Sequence, residues 1–397
     1  MTENFTLTAE EVRVTFLVTV PANTPQDATI YIIGNHPLLG NWKLPGTPLT
    51  KVSQQQYQIS FDVPKSSYLE FKLNRGTWAT VEKDKDYYEC HNRTLYAKKS
   101  GVSHLCVENW GDLGEPKAPR KRSWAGNVVE HPNFFARKLH NYRSIWVYLP
   151  PDYANNPGKN YPVLYVHDGN NVFDRATAFL GVEWELDETA ERLIRERRIR
   201  EIIIVAIQNT PQREAEYTHV YMPRWGGGKA DLYADFIISD VKPFIDKTYR
   251  TLKDRQYTAI MGSSLGGLVS LYIAWKYSEV FSMAGVVSPS VWWADRDIIR
   301  FVERGPKKPE IKIWLDIGTL EGRAEATKPG EITYAVRDTR ALKDALVRKG
   351  FRLHYDLEYL EVEGGCHNEA DWAKRVDKIL LFLFGAKQNL WGKVWRF

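Results

Sequence analysis

Residues 257–278 read YTAIMGSSLGGLVSLYIAWKYS, and this stretch decides the fold of the larger part of the chain. Ala259, Ile260 and Met261 form the short apolar run that is typical of a buried parallel strand. After the glycine-rich turn, apolar residues recur at helical spacing. The sequence therefore predicts a buried strand, a sharp turn at Ser264 and a helix that packs back onto the sheet.

The turn itself, Gly262 to Gly266, fits the G-x-S-x-G nucleophile elbow, in which the serine is exposed at a strand-to-helix bend. Glycines flank the serine because the bend leaves no room for side chains. The pattern alone occurs by chance in about one chain in eight of this length, so the prediction rests on the strand and the helix around it. We predict Ser264 to be a nucleophile; the alternative is a tight structural turn.

Short apolar runs alternate with helical patterns throughout the second part of the chain. This alternation predicts a mostly parallel sheet covered on both faces, with a site at the carboxyl ends of its strands. The predicted strands are 144–149, 162–167, 202–207, 258–261, 283–287 and 311–315, and the predicted helices are 185–197, 231–249, the helix after Ser264, and 334–349.

A nucleophilic serine requires an adjacent base, which in hydrolases with this elbow is a histidine late in the chain. His354 and His367 are the two histidines after Ser264. His354 lies in a strand-like run, whereas His367 follows two glycines in a loop that leads into the final helical pattern. Because a loop histidine beyond a strand end can swing over the elbow, we predict His367 to be the base. The alternative is a structural loop histidine.

The base in turn requires an orienting acid, and two carboxylates lie near the strand 311–315. Glu321 falls in the loop beyond the strand, whereas Asp316 is nearer the strand and could instead bind backbone amides. We therefore favour Glu321, with Asp316 or the absence of a working acid as alternatives.

The oxyanion that forms on ester attack requires preorganised donors, usually two backbone N–H groups. We assign them to Leu265, which follows the nucleophile, and to Asn170 in the loop after strand 162–166, where Gly169 permits a close approach. His167 and Asp168 in the same loop could suggest a metal site, but no second ligand cluster accompanies them. We therefore expect no metal and no cofactor.

The first hundred residues have a different pattern. Apolar residues alternate along 12–20 and 57–63, further strands are indicated at 29–33 and 69–73, and no helical pattern precedes about residue 110. This predicts an antiparallel sandwich. Residues 109–125 gather proline, glycine and like charges, so we expect a sandwich domain over 1–108, a linker over 109–125 and an α/β domain over 126–397.

Ile32-Ile33-Gly34-Asn35-His36-Pro37-Leu38-Leu39-Gly40-Asn41-Trp42, followed by Phe71-Lys72-Leu73, resembles the starch-binding domains of amylolytic enzymes. The resemblance implies that Trp42 stacks on a sugar ring and that Lys72 hydrogen-bonds the sugar hydroxyls. The family's second stacking tryptophan lies beside a glutamate-containing segment; this chain has Val81 there and Trp78 a few residues earlier. We predict that Trp42, Lys72 and Trp78 bind carbohydrate, with packing in the sandwich or against the second domain as the alternative for Trp42.

The second domain resembles the putative esterase family, which includes esterase D, feruloyl esterases and enterochelin esterases. The resemblance rests on six motifs in order: residues 147–151 (VYLPP), 165–169 (YVHDG), 262–267 (GSSLGG), 288–293 (SPSVWW), 315–321 (LDIGTLE) and 364–367 (GGCH). It implies a cofactor-free serine hydrolase with an α/β-hydrolase fold. Ser264, His367 and Glu321 match the triad positions, and Asn170 and Leu265 match the oxyanion amides.

Composition limits the partners. The net charge of +5 over 397 residues is small, and the basic run 117–122 lies among prolines in the predicted linker, so we expect no nucleic-acid partner. No stretch is long enough to span a membrane. The start shows no signal-peptide pattern, so we expect a cytoplasmic protein with free thiols, although Cys90 and Cys106 could pair if the protein were exported.

The leading hypothesis is a serine carboxylesterase that acts on acetyl or feruloyl esters of a carbohydrate, and for which a polysaccharide bound through the first domain is the expected partner. The alternative is a hydrolase of siderophore-type triesters. An alternative of another class is a glucan-binding protein with an inactive hydrolase domain. We further predict that Trp292, Trp293 and Arg213 line the substrate cleft, with a self-packed lid as the alternative.

Overall fold

The computed structural model describes residues 10–116, 118–305, 307–322 and 332–386. The chain divides into two compact units, with the main division between Arg120 and Lys121. This division lies inside the predicted linker 109–125. Each unit is built around its own sheet system.

The strands of the first unit are short and mostly antiparallel. They are β1 (Glu11–Thr19), β2 (Tyr31–Gly34), β3 (Thr47–Pro48), β4 (Thr50–Lys51), β5 (Gln56–Pro64), β6 (Ser67–Asn74), β7 (Glu82–Lys83), β8 (Arg93–Ala97), β9 (Gly101–Cys106) and β10 (Asn109–Trp110). They form two four-stranded sheets, ordered β4-β5-β1-β9 and β3-β2-β6-β8, and the pair β10-β7. The one parallel pairing within the two four-stranded sheets is β1 with β9.

Every second side chain along these strands points inward, and these apolar side chains fill the space between the two sheets. Phe16 of β1 and Phe71 of β6 pack with ring centroids 4.7 Å apart. Trp110 is fully buried in the same core, and its indole N–H donates to Thr24 Oγ1 at 2.9 Å. The sandwich therefore extends beyond the predicted boundary at residue 108, because its last strand uses a tryptophan from the proline- and glycine-rich segment.

The second unit contains an eight-stranded mixed sheet. Its strands are β11 (Asn127–Ala136), β12 (Asn141–Leu149), β13 (Val163–Val166), β14 (Ile203–Ile207), β17 (Thr258–Ser263), β18 (Met283–Val287), β19 (Lys312–Gly318) and β20 (Leu357–Val362); a separate hairpin pairs β15 (Tyr221–Met222) with β16 (Gly226–Gly227). The order is β11-β12-β14-β13-β17-β18-β19-β20. The first two pairings are antiparallel and the rest are parallel.

Helices cover both faces of this sheet. They are α1 (Leu186–Arg195), α2 (Arg213–Glu216), α3 (Ala230–Phe236), α4 (Lys242–Thr248), α5 (Leu265–Lys276), α6 (Trp293–Arg304), α7 (Tyr334–Arg348), α8 (Glu369–Ala373) and α9 (Val376–Phe384). Alternate strand residues enter separate cores, with Val163 and Tyr165 on the face of α5 and Leu164 and Val166 on the face of α1 and α9. The predicted class, an α/β-hydrolase domain preceded by an all-β sandwich, is confirmed.

No helix among the described residues is long and apolar enough to cross a membrane.

Candidate functional site

Ser264 occupies a strained bend between β17 and α5. Its backbone has φ 58° and ψ −122°, a combination that costs a non-glycine residue about 1–3 kcal/mol. Two hydrogen bonds hold the bend: Ser264 N–H donates to Val287 O at 3.0 Å, and Ser290 N–H donates to Ser264 O at 3.0 Å. The neighbouring strand β18 therefore imposes the conformation that exposes the serine hydroxyl.

The glycines of the elbow are required by space. A Cβ on Gly262 would lie 2.9 Å from the backbone of Gly266 and from the His167 ring, and a Cβ on Gly267 would lie 2.7 Å from Val287 O. These distances are shorter than normal carbon contacts. The helix can thus start directly above the sheet only because these side chains are absent.

Three side chains from separate strand ends form one chain of hydrogen bonds. His367 Nε2 lies 2.9 Å from Ser264 Oγ, and His367 Nδ1 lies 2.7 Å from Glu321 Oε2. The His367 side chain is 43% exposed whereas that of Glu321 is 1% exposed. An ionised carboxylate only accepts hydrogen bonds, so Nδ1 carries the proton and Nε2 is free to accept from the serine hydroxyl.

The second oxygen of Glu321 is also saturated with donors. Gly318 N–H donates to Oε1 at 2.8 Å, Ser288 Oγ at 2.5 Å and Arg375 Nη2 at 3.4 Å. Burial by itself raises the pKa of Glu321, but the charge and hydrogen bond of His367, together with Arg375 and Ser288, outweigh it and hold that pKa below its ordinary value. Glu321 is therefore kept ionised in a water-excluded position.

Asp316 is fully buried, and its hydrogen-bond partners are groups other than the imidazole. It accepts from Arg375 Nη1 at 2.7 Å, from Trp314 Nε1 at 2.6 Å and from Ser288 N–H at 3.0 Å. Burial raises its pKa, and Arg375 opposes that shift. Of the two predicted candidates for the acid, the structure brings Glu321 into contact with His367 and uses Asp316 to bind an arginine and a backbone amide.

Sequence reasoning missed the residues that support this carboxylate. Ser288 donates to Glu321 and itself accepts from Trp372 Nε1 at 3.0 Å. The Trp372 ring also meets the edge of the His367 ring, with centroids 4.9 Å apart. Arg375 joins both acids and is 1% exposed. A lone arginine just before the apolar run of α9 is the signal that could have identified it.

Two strand ends supply the predicted oxyanion amides. β13 pairs with β17 in parallel, with Val166 opposite Met261, so the turns carrying Asn170 and Leu265 leave adjacent strands. Asn170 lies in a short 3₁₀ turn, Gly169–Asn171, that follows Asp168 at φ 53°. Among the described residues, neither amide donates a hydrogen bond, so both N–H groups are available.

Gly169, which was predicted to permit a close approach, lets the turn 169–171 pack against β14. A Cβ there would lie 2.5 Å from the backbone of Ala206 and 2.6 Å from that of Ile207. The small residue thus lets the turn that carries Asn170 lie directly against strand β14.

Arg213, a residue predicted to line the cleft, forms an ion pair with Asp168. Its guanidinium donates two hydrogen bonds to the Asp168 carboxylate, from Nε to Oδ1 at 2.7 Å and from Nη2 to Oδ2 at 2.8 Å. Asn209 Nδ2 donates a third, to Oδ1 at 2.7 Å. Asp168 is 4% exposed, and although burial raises its pKa, Arg213 brings it below the ordinary value. Its head thus anchors the turn that carries Asn170, and because the side chain is still 28% exposed, the prediction that Arg213 lines the cleft stays a prediction.

The metal alternative considered for His167 and Asp168 finds no support in these contacts. His167 Nδ1 lies 2.9 Å from the Tyr233 hydroxyl within a fully buried aromatic cluster, and burial lowers its pKa to about 3. Asp168 is committed to Arg213.

The two predicted cleft tryptophans differ in exposure. Trp293 is 1% exposed and its indole N–H donates to Val220 O at 2.8 Å, so the prediction that it lines the cleft is corrected: it packs beneath the hairpin β15-β16. Trp292 is half-buried, between Trp293 at 5.6 Å and the exposed Trp225 at 6.3 Å. It follows Ser290, whose Oγ lies 3.2 Å from Ser264 Oγ.

In the first unit, the three predicted carbohydrate contacts lie in different settings. Trp78 is 51% exposed at the start of a short 3₁₀ turn. Trp42 is half-buried at φ 58°, and its N–H donates to Gly34 O at 2.8 Å. Lys72 Nζ donates to Cys90 O and also lies 3.8 Å from Cys90 Sγ, so part of the donor capacity of its ammonium group is already used within the sandwich. Cys90 forms no disulfide with Cys106.

Comparison with family models finds two matches. Residues 137–383 match the model described as putative esterase, and residues 11–106 match the model of the starch binding domain.

Three curated relatives illustrate the similarity. The uncharacterized protein YbbA of Bacillus subtilis (strain 168) is 26% identical over 259 residues, which cover 62% of this chain and 94% of the relative. Ferri-bacillibactin esterase BesA of the same organism is 28% identical over 232 residues, 53% of this chain and 78% of the relative. An alpha-amylase of Niallia circulans is 37% identical over 102 residues, 25% of this chain and 8% of the amylase.

Solved structures share the fold. A ferulic acid esterase superposes with a TM-score of 0.50 and 20% identity over 65% of this chain and 98% of its own. The ferric enterobactin esterase of Salmonella typhimurium superposes with a TM-score of 0.61 and 14% identity over 94% of this chain and 93% of its own.

Proposed function

Because the chain belongs to the putative esterase family and is a carboxylic ester hydrolase, we propose that Ser264, His367 and Glu321 form its catalytic triad. The observation that carries this proposal is the unbroken run of hydrogen bonds from Ser264 Oγ through the imidazole to Glu321. Both resemblances read from the sequence motifs, to this family and to starch-binding domains, are confirmed.

In the proposed reaction, Ser264 Oγ attacks the ester carbonyl while His367 Nε2 takes its proton. The N–H groups of Leu265 and Asn170 stabilise the oxyanion, a contribution worth on the order of 3 kcal/mol for each donor. The imidazolium then returns the proton to the leaving alcohol, which gives an acyl-enzyme. Water, deprotonated by His367, releases the acid and restores the serine. Glu321 holds the working tautomer and stabilises the imidazolium.

We propose that the substrate is an acyl ester, acetyl or feruloyl, carried by a carbohydrate. The match of residues 11–106 to the starch binding domain supports this, as does the presence of the exposed Trp78 and the half-buried Trp42, since an aromatic face suits the apolar face of a sugar ring. In this proposal Trp42 and Trp78 stack on the sugar, and Lys72 contacts its hydroxyls through its remaining donors.

A second candidate is the hydrolysis of a siderophore-type triester. It is favoured by the similarity to ferri-bacillibactin esterase BesA and by the ferric enterobactin esterase, whose likeness extends over 94% of this chain and so is not confined to the second unit. On this alternative the sandwich contributes to the esterase without binding glucan.

One substrate panel tests both candidates. Wild-type protein and Ser264→Ala are assayed with p-nitrophenyl acetate, methyl ferulate, an acetylated oligosaccharide and a catecholate triester. The proposal expects turnover of the sugar ester or ferulate and a loss of about 10⁶-fold in Ser264→Ala. Triester turnover alone would favour the second candidate, and unchanged activity in Ser264→Ala would refute the triad.

Retention of Ser264→Ala on amylose is the companion measurement. Retention equal to that of the wild-type protein separates glucan binding from catalysis. The absence of retention for both proteins would remove the support that the sandwich gives to a carbohydrate substrate.

A further inference from the structure

A cluster of four buried or half-buried acids lies away from the catalytic triad, around the first turn of α1. We call it the acidic cluster and define it as Asp174, Glu183, Asp187 and Glu188. Asp174 is 2% exposed, Glu183 4% and Asp187 0%, and Glu188 is half-buried. The proposed esterase mechanism uses none of these residues, and none of them was among the sites predicted from the sequence.

One oxygen of each fully buried acid is anchored by the protein. Ser123 Oγ donates to Glu183 Oε1 at 2.6 Å and lies 3.5 Å from Asp174 Oδ1, which also accepts from Ala176 N–H at 2.9 Å. Ala125 N–H donates to Asp187 Oδ2 at 2.7 Å. The sharing of Ser123 places the carboxylates of Asp174 and Glu183 side by side.

The opposite oxygens of the cluster have no hydrogen-bond partner among the described residues. These bare and buried atoms are Asp174 Oδ2, Glu183 Oε2, Asp187 Oδ1 and Glu188 Oε2. One oxygen each from Glu183, Asp187 and Glu188 lie within 4.8 Å of one another. Buried carboxylate oxygens without a donor are rare, because such a group normally finds a hydrogen bond or a cation.

Within the part of the chain that the structure describes, positive charge does not balance the cluster. Arg175 is the cation that reaches it, at 3.6 Å from Glu183 Oε1, and its side chain is 61% exposed. Burial, with Glu188 and Asp174 nearby, raises the pKa of Glu183 to about 7, and burial together with Glu188 raises the pKa of Asp187. A proton shared by Asp187 and Glu188 would remove one negative charge from the cluster, and the remaining carboxylate charges would still repel one another.

We propose that the acidic cluster binds a divalent cation that prefers oxygen ligands, with Ca²⁺ as the favoured ion. Ca²⁺ takes six to eight oxygens at about 2.3–2.6 Å, so ligands on opposite sides of the ion are separated by about 4.6–5.2 Å, which suits the spacing of these atoms. Carboxylate oxygens without nitrogen or sulfur ligands disfavour Zn²⁺. Water completes the coordination in this proposal.

Ion binding would fix the segment that follows the oxyanion turn. Trp184 N–H donates to Asn171 O at 2.9 Å and Leu186 N–H donates to Val172 O at 3.2 Å. The cluster thus joins residues 172–187 to Ser123 and Ala125, and a bound cation would stabilise this loop without contacting Ser264.

Chelator-dialysed full-length protein is titrated with CaCl₂, MgCl₂ or NaCl at matched ionic strength, and thermal unfolding and binding heat are recorded. At about 100-fold excess over the dissociation constant, Ca²⁺ should raise Tm by roughly 5 °C, and Mg²⁺ less. The variant with Glu183→Gln and Asp187→Asn should lose the rise, whereas Glu196→Gln, an exposed residue just beyond the same helix, should keep it.

Terbium luminescence gives an independent measurement, since Trp184 lies in sequence beside Glu183 and can sensitise a bound ion. Excitation of tryptophan should give Ca²⁺-competable terbium emission in the wild-type protein and in Glu196→Gln. The single variant Asp187→Asn, which relieves charge repulsion and should fold, should lose it. Absence of binding heat and Tm change up to about 5 mM Ca²⁺ or Mg²⁺ would overturn the proposal, as would an equal response in the double variant.

Discussion

Replacing Glu321 by glutamine tests the proposed triad at the residue whose side chain has the most hydrogen-bond partners. Oε1 of this carboxylate receives three donors, from Gly318, Ser288 and Arg375. An amide NH₂ in that position would face donors, so the glutamine should place its carbonyl oxygen there. Its NH₂ must then occupy the Oε2 position, 2.7 Å from His367 Nδ1.

This orientation determines the size of the effect. An NH₂ group donates a hydrogen bond to Nδ1, so the imidazole proton must sit on Nε2. A protonated Nε2 can no longer accept the proton of Ser264. The variant therefore loses the charge that stabilises the imidazolium and also favours the wrong tautomer. By analogy with other triads the loss in kcat should reach about 10⁴-fold, equivalent to about 5.5 kcal/mol.

The assay is kcat with p-nitrophenyl acetate, alongside thermal unfolding to show that the fold is kept. Glu363→Gln, the same change at an exposed carboxylate in the loop before His367, is the matched control and should retain wild-type kcat. Asp316→Asn should lower stability by weakening a buried ion pair, with kcat within about tenfold of wild type. A loss below tenfold in Glu321→Gln would refute the reasoning, and a larger loss in Asp316→Asn would transfer the role to that acid.

Three further predictions concern the supports of the site and the first unit. Arg213→Gln leaves Asp168 buried with Asn209 as its remaining side-chain donor, so urea unfolding should show a loss of about 3 kcal/mol; a loss below 1 kcal/mol would contradict it. Deletion of residues 1–120 should leave hydrolysis of p-nitrophenyl acetate intact and abolish any retention on amylose; an insoluble product would show that the sandwich is structural. The pKa values of Asp168 and Glu321 in the folded protein are both held below their ordinary values of 3.8 and 4.5. The two ionised carboxylates therefore stabilise the fold fully above these ordinary values, and this contribution is lost as the pH falls through the lowered pKa values. Tm should therefore fall steeply below about pH 4, and less steeply in Arg213→Gln.

The residues of the proposed triad could be named from sequence because each lies at a position that local patterns identify. Ser264 follows a strand and opens a helix, and the loop positions of Glu321 and His367 follow from the order of strands and the carboxyl-end rule. These inferences use short stretches of chain and a general property of parallel sheets. They required no knowledge of which side chains touch.

The supports of the site could not be named in the same way, because they are long-range contacts. Arg375 meets Glu321 across 54 residues of chain, and Arg213 meets Asp168 across 45. Nothing in the composition of either segment specifies the partner. The boundary at residue 108 failed for a related reason: Trp110 stands among turn-forming residues, and only the packed sandwich shows that its ring completes the core.

The buried network beneath His367 also explains why a serine esterase would keep two acids and one arginine in its core. Both oxygens of Asp316 accept from N–H donors, and both oxygens of Glu321 also accept, an arrangement that favours the charged form of each acid and opposes the burial that raises the pKa of Asp316. With Arg375 the network carries one uncompensated negative charge in a place where water cannot screen it. In the proposed reaction His367 becomes positive when it takes the proton of Ser264, and the network is then neutral. The charge that is costly in the resting enzyme is thus compensated when the transition state forms, which is the preorganisation that lowers a barrier without moving any residue.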